Sequence, residues 1–452
     1  LCTTGLSFLC DSAVHMTMDG PARIDGILSS KKDAGSEQPA GADPLVRNKP
    51  ATLAPAADPA AALAGVLHQF GEHGGVNMSI EASSTFRVME AETMRRLMHG
   101  ELGPDHGLFV YSRPSNPTVL KLGRLMAAIE DTEAAYCTAS GASAIAAVLL
   151  QLCSSGGHIV ASRSTFAGTI MLFKNLLRRA CNITTTFVEI GDHGKVGEAI
   201  VEGRTNVLYF EAVSNPTLEV ADVAALARIG HEKGATVVVD NTFTPMVLSP
   251  ARLGADVVLH SVSKFISGGD DVIAGAVCGP EWLVKQMMDP HNGTLTLLGP
   301  TMNVKVAFEL SQRLPHLGLR VKEHSRRALA YAALMKARGL RVIYPGLPDH
   351  PQHALLASMA NPGYGHGGML CVDMGTEERG RQMMNELQNS DQFGIMAFSL
   401  GYYKTIMSYA EHPHLDISPG LLRFSVGYSG TVEQQLGQLD KALTRMEDAG
   451  RS

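Results

Sequence analysis

The chain has 452 residues, of which 45% are hydrophobic and 18% charged, with a formal net charge of -6 at pH 7. That balance fits a globular protein of two or three domains with a large core, and no basic patch interleaved with aromatics points to nucleic acid. The apolar run Ala142 to Leu152 is alanine-rich and falls short of the ~18 residues that a membrane span needs.

In chain order, Leu1 to about Leu63 is rich in Ala, Pro, Gly and Asp without a sustained period, which predicts a disordered segment. Asp11, Asp19 and Asp25 accompany a single arginine, Arg23, in its first thirty residues, unlike an Arg-rich, acid-poor transit peptide. From His158 onward, strand-like and helix-like stretches alternate. A strand at His158–Ala161, a helix over Gly168–Arg179 and a β-branched strand at Thr184–Ile190 come first. A helix near His193–Glu202, a strand at Asn206–Glu211, a helix over Val220–Lys233, a strand at Ala235–Asp240 and a buried strand around Val257–Leu259 follow. A second apolar run covers Val272–Cys278. The alternation predicts an α/β fold with a mainly parallel sheet and helices on both faces, residues 119–315 forming this large domain. Beyond Pro280 come helices at Glu281–Met288, Asn303–Leu314 and His324–Arg338 and strands at Arg341–Tyr344 and Met369–Met374. They predict a connecting helix and a smaller C-terminal α/β domain within 316–452, its α/β layer beginning near Gly339.

In such a fold ligands sit at the carboxyl ends of strands. Three of those ends are polar. Asn206–Glu211 runs into Ser214-Asn215-Pro216, Ala235–Asp240 ends on a carboxylate, and Val257–Leu259 leads to Ser261, Ser263 and Lys264. Each has an ordinary reading: an Asx-turn for Asn215, a helix-cap or turn aspartate for Asp240, and a lysine whose stem packs while its ammonium reaches water. Taken together, a lysine, a carboxylate and an amide are the groups that pyridoxal phosphate asks for. For its phosphate, Thr138–Ser143 places small residues at a helix start, Ser261 and Ser263 add hydroxyls, and Arg113 lies in the loop Tyr111–Thr118. Arg423 sits in the apolar run Leu421–Val426, where an unpaired charge is costly. The histidines His350, His353, His412 and His414 lie in loops beside prolines and read as solvated side chains, so no metal site is expected. The seven cysteines, Cys2, Cys10, Cys137, Cys153, Cys181, Cys278 and Cys371, are scattered and odd in number, which fits reduced thiols in a cytoplasmic setting.

The ordered stretches Tyr111–Thr118 (YSRPSNPT), Ser140–Ala142 (SGA), Ser214–Pro216 (SNP), Val239–Thr242 (VDNT), Ser261–Phe265 (SVSKF) and Leu422–Gly427 (LRFSVG) resemble the Cys/Met-metabolism family of pyridoxal-phosphate enzymes, fold type I. The resemblance covers roughly 77–446. Within the family, SKFISGGDDVIAGAVCG, LLGPTMNVKVAFEL, RVIYPGLPDHPQH and FSLGYYKTIMSYAEHP are similar to plant methionine γ-lyases. The resemblance implies pyridoxal 5'-phosphate as cofactor, bound covalently through Lys264, which also moves protons. It implies that Asp240 keeps the pyridine nitrogen protonated, that Asn215 contacts the ring hydroxyl, and that Gly141, Ala142, Ser261 and Ser263 hold the phosphate. Arg423, helped by Ser399, would clamp the substrate carboxylate. Tyr111 and Arg113 would reach the phosphate of a neighbouring subunit, making 64–118 an arm, a dimer the minimal unit and a homotetramer the family arrangement.

One stretch departs from the family pattern. Where the family has a tyrosine followed by two glycines, this chain has Thr165-Phe166-Ala167-Gly168. Phe166 keeps a face to stack on the cofactor but has no proton for a leaving thiolate. The implied reaction is α,γ-elimination of L-methionine to methanethiol, 2-oxobutanoate and ammonia. Cystathionine γ-synthase, γ-lyase or β-lyase chemistry, or a cofactor-binding paralogue weakened at Phe166, stand beside it.

Overall fold

The computed structural model describes residues 58–412 and 415–449; the expected disorder of residues 1–57 and the expectation for His414 lie outside the described residues. Residues 58–63, expected to be disordered, are ordered. Asp58 accepts the N–H of Ala60 at 2.9 Å and Pro59 presets the first turn, giving α1 (Pro59–Ala64).

After α2 (Ala91–Met98) come α3 (Pro117–Glu130), β1 (Ala134–Thr138), α4 (Gly141–Leu152), β2 (His158–Ser162), α5 (Ala167–Met171), α6 (Arg178–Cys181) and β3 (Thr184–Val188). The large sheet is completed through α7 (His193–Ala199), β4 (Thr205–Glu211), α8 (Val223–Glu232), β5 (Thr236–Asp240), β6 (Val257–His260) and β7 (Gly275–Gly279). Its strand order is β1-β7-β6-β5-β4-β2-β3. Strands β3, β2, β4, β5 and β6 run parallel, and β7 is antiparallel to both of its neighbours. Both faces are covered. Leu208, Phe210, Val237, Val239 and Val258 pack with Val119, Leu122, Leu226 and Leu310, while Val207, Tyr209, Val238, Val257 and Leu259 pack with Ala144, Val148, Phe173 and Leu283. Burial on both sides is why these strands read as continuous apolar runs.

The chain continues with α9 (Glu281–Met287), α10 (Thr294–Leu298), α11 (Val304–Arg313), α12 (Leu317–Ala337), β8 (Arg341–Ile343), α13 (His353–Met359), β9 (Met369–Asp373) and α14 (Glu377–Asn385). It ends in β10 (Gly394–Met396), β11 (Thr405–Tyr409), β12 (Leu421–Ser425) and α15 (Val432–Ala449). A second sheet has the order β10-β11-β12-β9-β8. On β12, Leu422 and Phe424 enter a core with Tyr331, Met335 and Leu439, so by alternation Arg423 faces the other way.

Several boundaries differ from the sequence reading. The helix expected over Gly168–Arg179 is α5 and α6 joined by a π turn at Leu172–Leu177. The helix expected from Val220 begins at Val223, because Asp222 caps it through the N–H of Ala225. Val220 instead stays extended, exchanging two hydrogen bonds with the side chain of Gln352. The run Val272–Cys278 is a strand only as Gly275–Gly279, and the helix expected from His324 starts at Leu317. Neither α3 nor β1 was anticipated: α3 is started by Asn116 as cap and Pro117 in its first turn, and β1 (Ala134–Thr138) is five residues long and pairs antiparallel with β7, more than 130 residues further along the chain.

Candidate active site

The expected residues meet along one run of contacts at the strand ends. It starts at α4, where Ser140 caps the helix through the N–H of Ser143 at 3.1 Å. Gly141 lies so close to Ser261 that a Cβ would come within 2.8 Å of that side chain, so the helix start and the lysine turn touch only because the residue is glycine. Ser261 N–H donates to Thr242 Oγ1 at 2.8 Å, and Thr242 N–H donates to Asp240 Oδ1 at 2.9 Å. Asp240 lies opposite Glu211 in the β4–β5 register. Glu211 is buried and brackets two expected site residues: Oε1 accepts the N–H of Phe166 at 2.7 Å and Oε2 that of Asn215 at 2.8 Å. Asn215 Oδ1 accepts from Arg423 Nη1 at 2.8 Å, and Arg423 Nη2 lies 3.5 Å from the carbonyl of Ser399. Ser399 Oγ in turn accepts from Lys264 Nζ at 3.2 Å.

Lys264 is half-buried. Burial pulls its amine below the usual lysine range, Asp270 opposes that shift, and Arg423 adds to it. Burial also lowers Arg423, so an incoming carboxylate relieves a poorly solvated cation. Gly401, with φ 80°, packs against the backbone of Lys264 and Phe265, where a Cβ would come within 2.4 Å of Phe265 N. That close approach delivers Ser399 to the lysine.

Some expected residues stand apart. The Ser263 hydroxyl, expected to serve a phosphate, exchanges two hydrogen bonds with the backbone of Ala274, accepting at 2.9 Å and donating at 3.2 Å. Tyr111, 45% exposed, bridges to Thr85, and Arg113 donates to the carbonyl of Thr296. Neither joins the run of contacts around Lys264. The Phe166 ring is 52% exposed and lies over Gly168. His353 and His412, expected to be solvated, donate to the carbonyls of Pro345 at 2.9 Å and Thr165 at 2.8 Å. Among the described residues no group of three His, Cys, Asp or Glu side chains is arranged for a metal ion, and no helix is long and apolar enough to cross a membrane.

The donor set fits pyridoxal phosphate. The α4 start, with half-buried Ser261 against Gly141 and exposed Ala142, offers N–H and hydroxyl groups to a phosphate. With pyridoxal phosphate bound there, Asp240 would offer a carboxylate to the pyridine nitrogen, Asn215 an amide to the ring hydroxyl, Phe166 a face to the ring and Lys264 an amine to the aldehyde. Burial raises Asp240, while Thr242 and His260 pull it down. Glu211 is pushed up to about 8, first by burial and then by Asp240. Both carboxylates lie on one face of the sheet and burial raises both; Asp240 is the one that a pyridinium would keep ionised.

Glu211 and Thr242 were missed by sequence reasoning. The signal was there for Glu211, a second carboxylate ending a β strand beside Asp240. Its raised carboxyl makes a testable statement about stability. The folded chain keeps a proton that the unfolded chain releases near the ordinary 4.5. The stabilisation is therefore complete below that pH and is lost as pH climbs toward about 8. Glu211→Gln should flatten that decline and cost about 1–3 kcal/mol at about pH 5.5, because an amide nitrogen cannot accept the second backbone N–H. Urea unfolding at about pH 5.5 and about pH 8 checks this; a variant with the parent's pH dependence would contradict it.

The family described as Cys/Met metabolism PLP-dependent enzyme matches residues 61–443. The chain is 62% identical over 431 residues to the methionine gamma-lyase of Arabidopsis thaliana, covering 93% of this chain and 98% of that one. It is 31% identical to the L-methionine gamma-lyase of Fusobacterium nucleatum subsp. polymorphum, over 83% of this chain and 95% of that one. Among solved structures, the cystathionine gamma synthase of Xanthomonas oryzae pv. oryzae in complex with cystathionine superposes with a TM-score of 0.76 at 28% identity, covering 87% of this chain and 100% of that one. The strand-end lysine, carboxylate and amide thus stand in a chain that belongs to the Cys/Met metabolism PLP-dependent enzymes, with pyridoxal phosphate as its cofactor.

Proposed function

We propose that the chain is a carbon–sulfur lyase that cleaves L-methionine by α,γ-elimination, taking methionine and water to methanethiol, 2-oxobutanoate and ammonia. The observation that carries this reading is the meeting of two groups at Ser399, whose hydroxyl takes the Lys264 amine and whose carbonyl lies beside the Arg423 guanidinium. An amino acid held by Arg423 through its carboxylate presents its α-hydrogen toward Lys264. Pyridoxal phosphate supplies the electron sink that stabilises negative charge next to the α-carbon. Lys264, its ammonium disfavoured by burial, removes the α-proton and then carries protons at the β-carbon, so that the γ-carbon–sulfur bond opens and the sulfur leaves as methanethiolate, which takes a proton from water to become methanethiol. Asn215, hydrogen-bonded to Arg423, links the carboxylate clamp to the cofactor side of the site.

A second reading, cystathionine-type elimination or replacement or a weakened paralogue, draws on Phe166, which gives the leaving sulfur no proton. Assaying methionine, homocysteine, cystathionine and O-phosphohomoserine side by side separates the two. Methanethiol from methionine is the expected result, and thiol release or replacement confined to the other substrates would overturn it.

Shared dimer sites, paired into a homotetramer, are part of the same proposal. Tyr111 and Arg113 stand apart from the Lys264 contacts of their own chain, and the segment before them exposes Leu67, Phe70, Met89 and Met98. The free thiols of Cys137, Cys153, Cys181, Cys278 and Cys371 support a cytoplasmic setting.

A further inference from the structure

The loop that leaves Lys264 carries a carboxylate for which the reaction above has no role. Ser399 Oγ accepts from Lys264 Nζ at 3.2 Å and donates its own proton to Asp270 Oδ1. The hydrogen bonds therefore run in one direction, from amine through hydroxyl to carboxylate. Lys264 and Ser399 are half-buried, whereas Asp270 is exposed. Asp270 also sits at φ 53°, a left-handed conformation that aspartate tolerates better than most residues but that still costs energy. Its neighbours hold it there. Asp271 takes both terminal nitrogens of Arg313 at 2.7 Å, and Arg320 donates to the carbonyls of Phe265 at 2.6 Å and Ile266 at 2.7 Å. A rigid loop thus keeps a carboxylate in a strained conformation at the water-facing end of a chain that begins at the lysine.

We propose that Asp270 is a positioning residue, the solvent-side end of a proton relay that runs from Lys264 through Ser399. The proposal rests on Lys264 being the base of the reaction. When the Lys264 ammonium gives up a proton, its N–H bond breaks as Ser399 Oγ gains that proton. The hydrogen formerly on Ser399 passes to Asp270 Oδ1, leaving the serine unchanged in composition, and the Asp270 carboxylic acid releases its proton to water. The reverse sequence recharges the lysine. The charged groups around the relay fit this direction: Arg423 on β12 disfavours the ammonium and Asp270 favours it, while Asp271 is occupied by Arg313 and Tyr402 stands near both aspartates.

Asp270→Asn tests the relay, because asparagine tolerates the same backbone conformation and its oxygen still accepts from Ser399, but it carries no charge and takes up no proton. Asp270→Gly serves as a second variant that removes the strain as well. In the full-length chain stripped of cofactor, acetylation of Lys264 by acetic anhydride is followed against pH by peptide mass spectrometry. Its midpoint is expected to fall by about one pH unit in either variant. In the cofactor-loaded full-length chain, exchange of the α-hydrogen of bound methionine with deuterium oxide is expected to slow about tenfold and to recover partly with added formate. Either readout unchanged in both variants overturns the relay, since a merely structural aspartate would shift no midpoint and gain nothing from formate. Acetylation needs neither cofactor nor substrate. A parent chain that exchanges no α-hydrogen therefore counts against the functional reading, while the midpoint still decides for or against the relay.

Discussion

Lys264→Ala is expected to abolish the visible absorbance band of lysine-bound pyridoxal phosphate and to lower methanethiol release by about 10⁴ or more. The fold should survive. The Lys264 amine lies against the Ser399 hydroxyl, and the turn around it is held by backbone contacts, Lys264 N–H to Ser261 O at 3.2 Å and Gly268 N–H to Lys264 O at 2.8 Å. An added small amine should restore part of the lost turnover by standing in for the missing base. An alanine variant that keeps the band would show that another amine carries the cofactor, and the functional reading would fall at its first step.

Phe166→Tyr is expected to act in the opposite direction, raising elimination by about 10² or more, the usual worth of a positioned general acid. Phe166 is half exposed, its backbone N–H is held by Glu211, and its ring packs against Gly168. Adding one oxygen at its tip therefore risks little overpacking. Methanethiol release under saturating methionine, measured beside cofactor affinity, is the check. A gain in rate at constant cofactor affinity means that the wild-type chain lacks the acid; equal turnover in both forms means that a different group already protonates the sulfur, and no turnover in either favours the cofactor-binding paralogue.

What the sequence made legible was the chemistry standing at strand ends. Lys264, Asp240 and Asn215 each follow an apolar run, so a polar residue there has few structural excuses, and Arg423 stood out for the same reason. Glu211, Thr242 and Gly401 did not stand out, because their importance depends on pairings across long stretches of chain. Glu211 matters through its register with Asp240 and its two backbone N–H partners. Thr242 matters because Ser261 lies beside it. Gly401 matters only because it meets the backbone of Lys264. Ser263 shows the converse: a hydroxyl in the expected position that the fold spends on its own backbone. The strand β1 was illegible for a simpler reason, since it is only five residues long and its pairing partner β7 lies more than 130 residues further along the chain.

Glu211 and Asp240 share their side of the sheet with Tyr209 and Val238, whereas Val237 and Val239 point into the packing with α3 and α8. The address of each carboxylate is therefore a matter of parity, counted along the strand in odd and even positions. One residue added within β5 would send Asp240 into hydrocarbon and present Val239 to the cofactor, whereas residues added to the loop after it would leave the count intact. Variation in this chain has freedom in its connections and almost none in the spelling of its strands.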